Sequence, residues 1–312
     1  MNIKVLGVGG AGCNAINRMV EVGLDGVELI AANTDAQLLR RSHAHVCIQL
    51  GEALTHGLGA GGDPDRGRKS ARQSQEELRE VLRGADLVVV IAGLGGGTGT
   101  GAGPVIARLA KKSGALTVGI VTRPFEFEGQ RRSSIAERGL QEMRKCVDTL
   151  LVIPAQRLTS KKTTHDQAFR LADDAILRVL RSISDIINFP GMIVLDIDDL
   201  RAIMKDAGEA FIGISEASGP GRALRAAKLA LASPLLEKAV MDGAKHLIVS
   251  IAGRRSTLSL SEVQKIMARI QLSVGADATL KMGNAFEESL GKTIRVTVIA
   301  TRFMSRRGVS RS

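Results

Sequence analysis

The densest chemical signal in the chain is Gly95-Gly96-Gly97-Thr98-Gly99-Thr100-Gly101. Glycines in such a run leave backbone N–H groups uncovered, and Thr98 and Thr100 add hydroxyl donors. A loop of that kind binds an anion, most often phosphate. Two more glycine stretches share the character. Gly7-Val8-Gly9-Gly10-Ala11-Gly12 has GxGxxG spacing, and Gly57-Leu58-Gly59-Ala60-Gly61-Gly62 precedes Asp63-Pro64. A dinucleotide's pyrophosphate uses one such loop; three suit a triphosphate. No P-loop sequence with its obligatory lysine is present, so the cradle is nearly all main chain.

Other residues could serve a nucleotide's sugar and base. Thr122-Arg123-Pro124-Phe125-Glu126-Phe127-Glu128-Gly129 leads to Arg131 and Arg132. Glu128 can accept from ribose hydroxyls, and Arg132 can pair with phosphate or hold the loop. Phe169 can stack on a base, and a carboxylate of Asp173 or Asp174 can accept from the N1 and N2 hydrogens of guanine. Asp196, Asp198 and Asp199 form an acidic cluster in a short loop before Leu200. The GxGxxG turn alone also fits a nicotinamide dinucleotide fold, with Glu28 or Asp35 as its acid about 20 residues on. His43, His45 and Cys47 would share one face of a strand, but the set lacks a fourth metal ligand.

The elements that must position these groups read as an α/β protein with a parallel sheet. Apolar runs at 3–8, 27–32, 46–50, 87–92, 116–121 and 150–153 have the length and continuity of strands buried on both faces. The glycine loops sit where strands end and helices begin, the edge at which open parallel sheets gather ligands. A first helix is expected from Cys13 to Val22, a charged one from about Arg66 to Arg83, and one with Pro104 in its first turn. A long helix from Asp166 to Asn188 carries Ala168, Ala172, Ala175, Ile176, Val179, Leu180, Ile183, Ile186 and Ile187 at helical spacing, a stripe broad enough to pack between two domains. Strands at 211–217, 247–252, 278–282 and 294–300, with helices at 221–232 and 260–273, make a second, smaller α/β domain. The expected plan is a nucleotide-binding domain over 1–164, a central helix over 165–190, a second α/β domain over 191–303, which the family resemblance given below implies to be a GTPase-activating and assembly domain, and a short basic tail over 304–312.

With 312 residues the chain can build two cores. No apolar run is long enough for a membrane span. Cys13, Cys47 and Cys146 are odd in number and widely spaced, which reads as reduced thiols in a cytoplasmic protein. The net charge is +11, and its excess lies beyond residue 100: residues 101–165 hold twelve Lys and Arg against five Asp and Glu. Such a surface suits an anionic membrane, nucleic acid or an acidic partner. Seven Phe and no Trp or Tyr argue against a base-stacking nucleic-acid platform.

Taken together, the motifs resemble the tubulin/FtsZ family. Gly95 to Gly101 is similar to its signature loop. Gly10-Ala11-Gly12-Cys13-Asn14, Asn33-Thr34-Asp35-Ala36-Gln37, Phe127-Glu128-Gly129 and Ser233-Pro234-Leu235-Leu236-Glu237 resemble bacterial FtsZ more than tubulin. The resemblance runs from residue 3 to about 303. It implies a self-assembling cytoskeletal GTPase with GTP or GDP as ligand, Mg2+ held mainly by phosphates and water, and head-to-tail protofilaments serving cell division or a related role. Gly9, Gly10, Ala11, Gly12, Cys13 and Asn14, with Gly96, Gly97, Thr98, Gly99, Thr100 and Gly101, would hold phosphates, Asn14 also nearing the base. Ala60, Gly61 and Gly62 would meet the γ-phosphate. Asn33, Pro124, Glu128 and Arg132 would line the ribose and loop side, with Phe169 and Asp174 at the guanine. Asp196 and Asp199 would enter the site of the next subunit and orient the attacking water.

Three positions depart from the family pattern. Val194 stands where an asparagine is usual, and Ala155-Gln156 where Asn-Asp follows Ile153-Pro154. Residues 304–312 do not match the long linker and anchor peptide that adaptor proteins read. These departures point to a specialised, tailless paralogue without the usual adaptors. A GTP-binding scaffold that scarcely hydrolyses is the second expectation, and a nicotinamide oxidoreductase is a remote third.

Overall fold

The computed structural model describes residues 1–24, 26–160, 162–188, 192–193, 195–236, 243–275 and 277–303. Phe189–Gly191, expected to end the long helix, lie outside the described residues, as do Val194, Glu237 and the tail 304–312. The chain forms two compact units, Met1–Ser184 with Met204–Gly208, and Asp185–Ile203 with residues from Glu209 on.

The first unit holds six parallel strands: β1 (Ile3–Val8), β2 (Val27–Asn33), β3 (Val46–Gln49), β4 (Leu87–Gly93), β5 (Leu116–Thr122) and β6 (Thr149–Ile153). Their order is β3-β2-β1-β4-β5-β6. Val5 pairs with Leu29 on one side and Val89 on the other. The chain runs outward from β1 to β3 and returns on the other flank at β4. The reversal leaves a crevice above the carboxyl ends of β1 and β4, where open α/β sheets bind ligands. All six residues of β1 are buried, as a strand covered on both faces requires. Leu6, Ile30, Val90 and Ile106 lie in the core beneath that edge.

The helices of this unit are α1 (Gly9–Val22), α2 (Ala36–Arg40), α3 (Glu52–Thr55), α4 (Pro64–Gln73), α5 (Gln75–Leu82), α6 (Thr98–Lys112), α7 (Gln130–Arg144) and most of α8 (His165–Asn188). Two begin earlier than their sequences suggest. α1 starts inside the GxGxxG turn, and α6 starts inside the signature loop, so Pro104 falls within the helix. Small residues allow both helices to press onto the sheet: a Cβ on Gly12 would sit 2.7 Å from Ile91 O. The expected 66–83 helix is two. Ser74 separates them because its hydroxyl accepts from Gly51 N–H at 3.0 Å and donates to Gln49 O at 3.3 Å, tying the chain to the end of β3. The α8 stripe is buried from Ala168 to Ile183.

The second unit has β7 (Gly208–Ser218), β8 (Ala244–Gly253), β9 (Thr279–Phe286) and β10 (Thr293–Phe303), in the order β7-β10-β8-β9. β10 runs antiparallel to β7 and β8, while β8 and β9 are parallel. α9 (Ile197–Met204), α10 (Arg222–Leu231) and α11 (Leu260–Gln271) complete it. Arg222 is a buried tie: it donates to Glu262, to Lys292 O and to Thr257 O. No helix among the described residues is long and apolar enough to cross a membrane.

Candidate functional site

A cavity of about 240 Å³ opens at the β1/β4 crevice. Gly9, Gly10 and Ala11 line it from the start of α1, and Gly96 to Gly99 from the start of α6. Gly9 has φ +74°, and a Cβ there would come 2.9 Å from Gly99 N. A Cβ on Gly97 would come 2.8 Å from Asp63 N. The two loops are therefore packed so closely that side chains are excluded and bare amides form the wall. Neither helix start carries a side-chain cap or an acid in its first turn. By contrast, Asp35 caps α2 and Asp63 caps α4. Two uncapped helix N-termini facing one cavity make an anion site in which N–H donors and helix dipoles add.

The far end of the cavity is apolar and acidic. Phe169, Asp173 and Ile176 line it from α8 at spacings of four and three, one face of the helix. Phe125 meets Phe169 edge-on at 5.2 Å and stacks on Phe127 at 5.3 Å. Ala155, where the family pattern has asparagine, lines the same end without a polar group. Burial, with the Asp174 charge second, raises the Asp173 carboxyl to about 6. Between the ends, Glu128 accepts from Phe125 N–H at 2.8 Å and pairs with Arg132 at 2.6 Å, holding the loop that carries Pro124 along the wall.

The acids of the second unit are ordered as a helix start. Asp198 and Asp199 lie in the first turn of α9 rather than in a loop. Asp199 N–H donates to Asp196 Oδ1 at 2.8 Å, and Asp196 N–H donates to Asp199 Oδ2 at 3.3 Å. This reciprocal cap is the reason the helix begins there. Lys281 of β9 pairs with Asp199 Oδ1, and that bond, foremost, holds the Asp199 carboxyl below its ordinary value. Beside the acids, Met192 is 83% and Ile193 45% exposed.

Residues 2–161 match the family model described as the GTPase domain of the Tubulin/FtsZ family, and residues 208–304 match the C-terminal domain of the FtsZ family. The chain belongs to the tubulin/FtsZ family. An empty FtsZ dimer from M. jannaschii is 36% identical, covers 100% of this chain and 95% of its own, and superposes with a TM-score of 0.92. CetZ1 from Haloferax volcanii, a GDP-bound monomer, is 19% identical with a TM-score of 0.84 over 98% of this chain and 96% of its own. CetZ2 from the same organism, a GTPγS-bound protofilament, is 21% identical with a TM-score of 0.82 over 98% and 95%. At those identities the CetZ likeness is one of fold.

Within this tubulin/FtsZ frame, several residues expected at the nucleotide lie behind or beside the cavity wall. Gly12 packs on β1 and β4. Cys13 is buried and accepts from the Asn33 amide at 3.8 Å; burial pushes its thiol up to about 12, so neither residue reaches the cavity. Thr100 is also buried, and its hydroxyl accepts from Gly95 N–H at 2.9 Å. It shapes the loop instead of offering a donor. Thr98 does line the wall and bonds Thr34 Oγ1 at 2.7 Å. Ala60 backs Gly97, while Gly61 and Gly62 form the exposed turn beyond it. Gly101 serves the close approach of α4 to α6. Asn14 is exposed on α1.

The largest correction is at the base end. Asp174 lies about 100° further round α8 than Asp173 and turns to Arg18, 3.6 Å away. Asp173, four residues from Phe169, is the acid that lines the cavity. That spacing was present in the sequence and points to the same helix face. The dinucleotide alternative loses both of its acids: Glu28 pairs with Lys4 at 2.8 Å, and Asp35 is spent on its helix cap. His45 Nδ1 accepts from Leu29 N–H at 3.0 Å, and the described residues hold no cluster of three or more His, Cys, Asp or Glu placed for a metal. Lys281 had no signal in the sequence, because only the tertiary fold brings β9 beside α9.

Proposed function

We propose that this chain binds GTP in the first unit's cavity and hydrolyses it when a second copy supplies Asp196 and Asp199, in a head-to-tail polymer. The observation that carries the reading is the pair of uncapped helix starts, α1 and α6, converging on a cavity that ends in Phe169 and Asp173. The amides of Gly9 to Ala11 and of Gly96 to Gly99 hold phosphates. Phe169 stacks on the base, and ionised Asp173 accepts from guanine N1–H and N2–H, the pattern adenine lacks. Mg2+, when bound, neutralises phosphate charge and is held by phosphates and water.

Asp196 and Asp199 are not among the described residues that line the cavity. They sit beside exposed Met192 and Ile193, an apolar tip of the kind that a second copy covers. The FtsZ relative from M. jannaschii is itself described as a dimer, which supports self-association. Phosphoryl transfer asks for positioning and charge management more than covalent chemistry, so two oriented carboxylates that place a water suffice.

The test is phosphate release per subunit across a dilution series, with polymer sedimented from the same tubes in GTP, GDP and a slowly hydrolysed analogue. Turnover per subunit is expected to rise with polymer mass. Turnover that stays constant down to isolated subunits contradicts the reading.

A further inference from the structure

The acid-bearing segment of the second unit is moulded on a single strand. Asn284 Oδ1 accepts from Ile193 N–H at 2.6 Å, and Asn284 N–H donates back to Ile193 O at 3.0 Å. Leu195 lies over Gly283, where a Cβ would come within 2.7 Å of the Leu195 side chain. Lys281, on the same strand face as Gly283, pairs with Asp199. Three positions of β9 thus fix the beginning, middle and end of the segment. Both Asp199 oxygens are engaged: one by the Lys281 ammonium, the other by Asp196 N–H.

Charge gives this arrangement a consequence. Two bare carboxylates brought against a triphosphate would be repelled, and like-charge contacts across an interface cost several kcal/mol. Lys281 sits within the field of both acids: Asp199 and, more weakly, Asp196 raise its ammonium above the ordinary lysine value. The surface presented is therefore a mixed one, two acids with a cation at their side.

We infer that Lys281 is a positioning residue of the hydrolytic site, orienting the Asp199 carboxylate and carrying a cation alongside the acid pair to the neighbour's triphosphate. The inference rests on the reading that Asp196 and Asp199 act on the nucleotide of a second copy. Hydrolysis then depends on a lysine remote from the glycine cradle in sequence, placed by β9.

The experiment compares wild type, Lys281→Met and Lys281→Arg in the full chain. GTP affinity of the dilute subunit is expected to be equal in all three. Turnover per sedimented subunit is expected to fall about tenfold to a hundredfold in Lys281→Met, with most of it restored in Lys281→Arg. Carbon-13 titration of the Asp199 carboxyl in the isolated subunit is expected to move to a higher midpoint in Lys281→Met. Where Lys281→Met does not fold, Lys281→Gln is read the same way. Turnover in the neutral variant within about twofold of wild type overturns the inference, as does an unmoved Asp199 midpoint. Wild-type turnover that ignores dilution sinks the shared site and with it the charge-carrying half, whereas the Asp199 midpoint judges the pairing by itself.

Discussion

Four of the described helix starts are closed by a side chain, and the two whose glycines wall the cavity are not. α2 and α4 are closed by Asp35 and Asp63, α11 by Ser259 with Glu262, and α9 by Asp196 with Asp199. α1 begins at Gly9 and α6 follows Gly97, and neither has such a closure. Helix N-terminal N–H groups left without partners cost stability unless water or a ligand meets them. Side-chain caps are not universal away from the cavity, since α3, α5, α7 and α10 also lack one; what sets α1 and α6 apart is that the open amides at their starts wall the cavity. The same contrast holds for buried charge. Arg222 and Glu262 neutralise each other in the second unit, while Asp173 is half-buried at the cavity with its carboxyl raised.

The contrast is broken most severely by finishing an unfinished helix. Gly10→Asp puts a carboxylate into the first turn of α1, where a Cβ meets only Leu38 at 3.6 Å. The acid suits the helix dipole, so stability is expected to hold or rise by about 0.3–1 kcal/mol. GTP affinity is expected to fall at least about a hundredfold, near 3 kcal/mol, because the site now contains its own anion. Calorimetric titration and a thermal melt on one sample check both halves.

Asp173→Asn comes next. With the folded carboxyl near 6 against an ordinary value of 3.8, the cost of ionising it is present above about pH 6 and absent below the unfolded value. Removing it is expected to stabilise the empty subunit by about 1–2 kcal/mol at pH 7. Affinity for GTP is expected to drop about tenfold or more, with guanine losing its advantage over adenine. In the wild type, GTP binding is expected to weaken as pH falls through 6, since the neutral acid accepts fewer hydrogen bonds. Titrations with GTP and ATP at pH 5.5 and 7.5 read all of this.

The finished helices give smaller effects, confined to stability. Glu262 is depressed from 4.5 to about 2, chiefly by Arg222. A depressed carboxyl stabilises the fold above its unfolded pKa, and that contribution is lost as pH falls from about 4.5 towards 2. Melts over that window are expected to steepen in wild type and flatten in Glu262→Gln, a difference of about 1–3 kcal/mol. Asp35→Ala is expected to cost about 1 kcal/mol with GTP affinity unchanged; a loss of affinity there would blur the line between capped scaffold and open site.

Much of this was legible in the sequence. The buried strands announced themselves as unbroken apolar runs, and the glycine loops as runs that no side chain interrupts. Sequence could not tell a glycine that faces a ligand from one that admits a neighbouring backbone, so Gly12 and Gly101 looked like Gly97. It could not tell a hydroxyl at the cavity wall from one that braces the loop, as Thr98 and Thr100 show. Adjacent acids on a helix differ by one residue in the chain and by about 100° in space, which is why the sequence pointed to Asp174 while Asp173 lines the cavity. The break at Ser74 and the partnership of Lys281 with Asp199 arise only when distant segments meet.

The shared site is tested most directly by mixing two inactive variants. Asp199→Ala keeps its nucleotide cavity and lacks the acid; Asp173→Asn keeps the acid and binds GTP poorly. Each alone is expected to hydrolyse little. Mixed in equal amounts above the assembly threshold, they are expected to recover up to about a quarter of wild-type turnover, the share of head-to-tail junctions that join an intact cavity to an intact acid. Mixed polymer that sediments with both variants in it and still releases no phosphate would contradict the account.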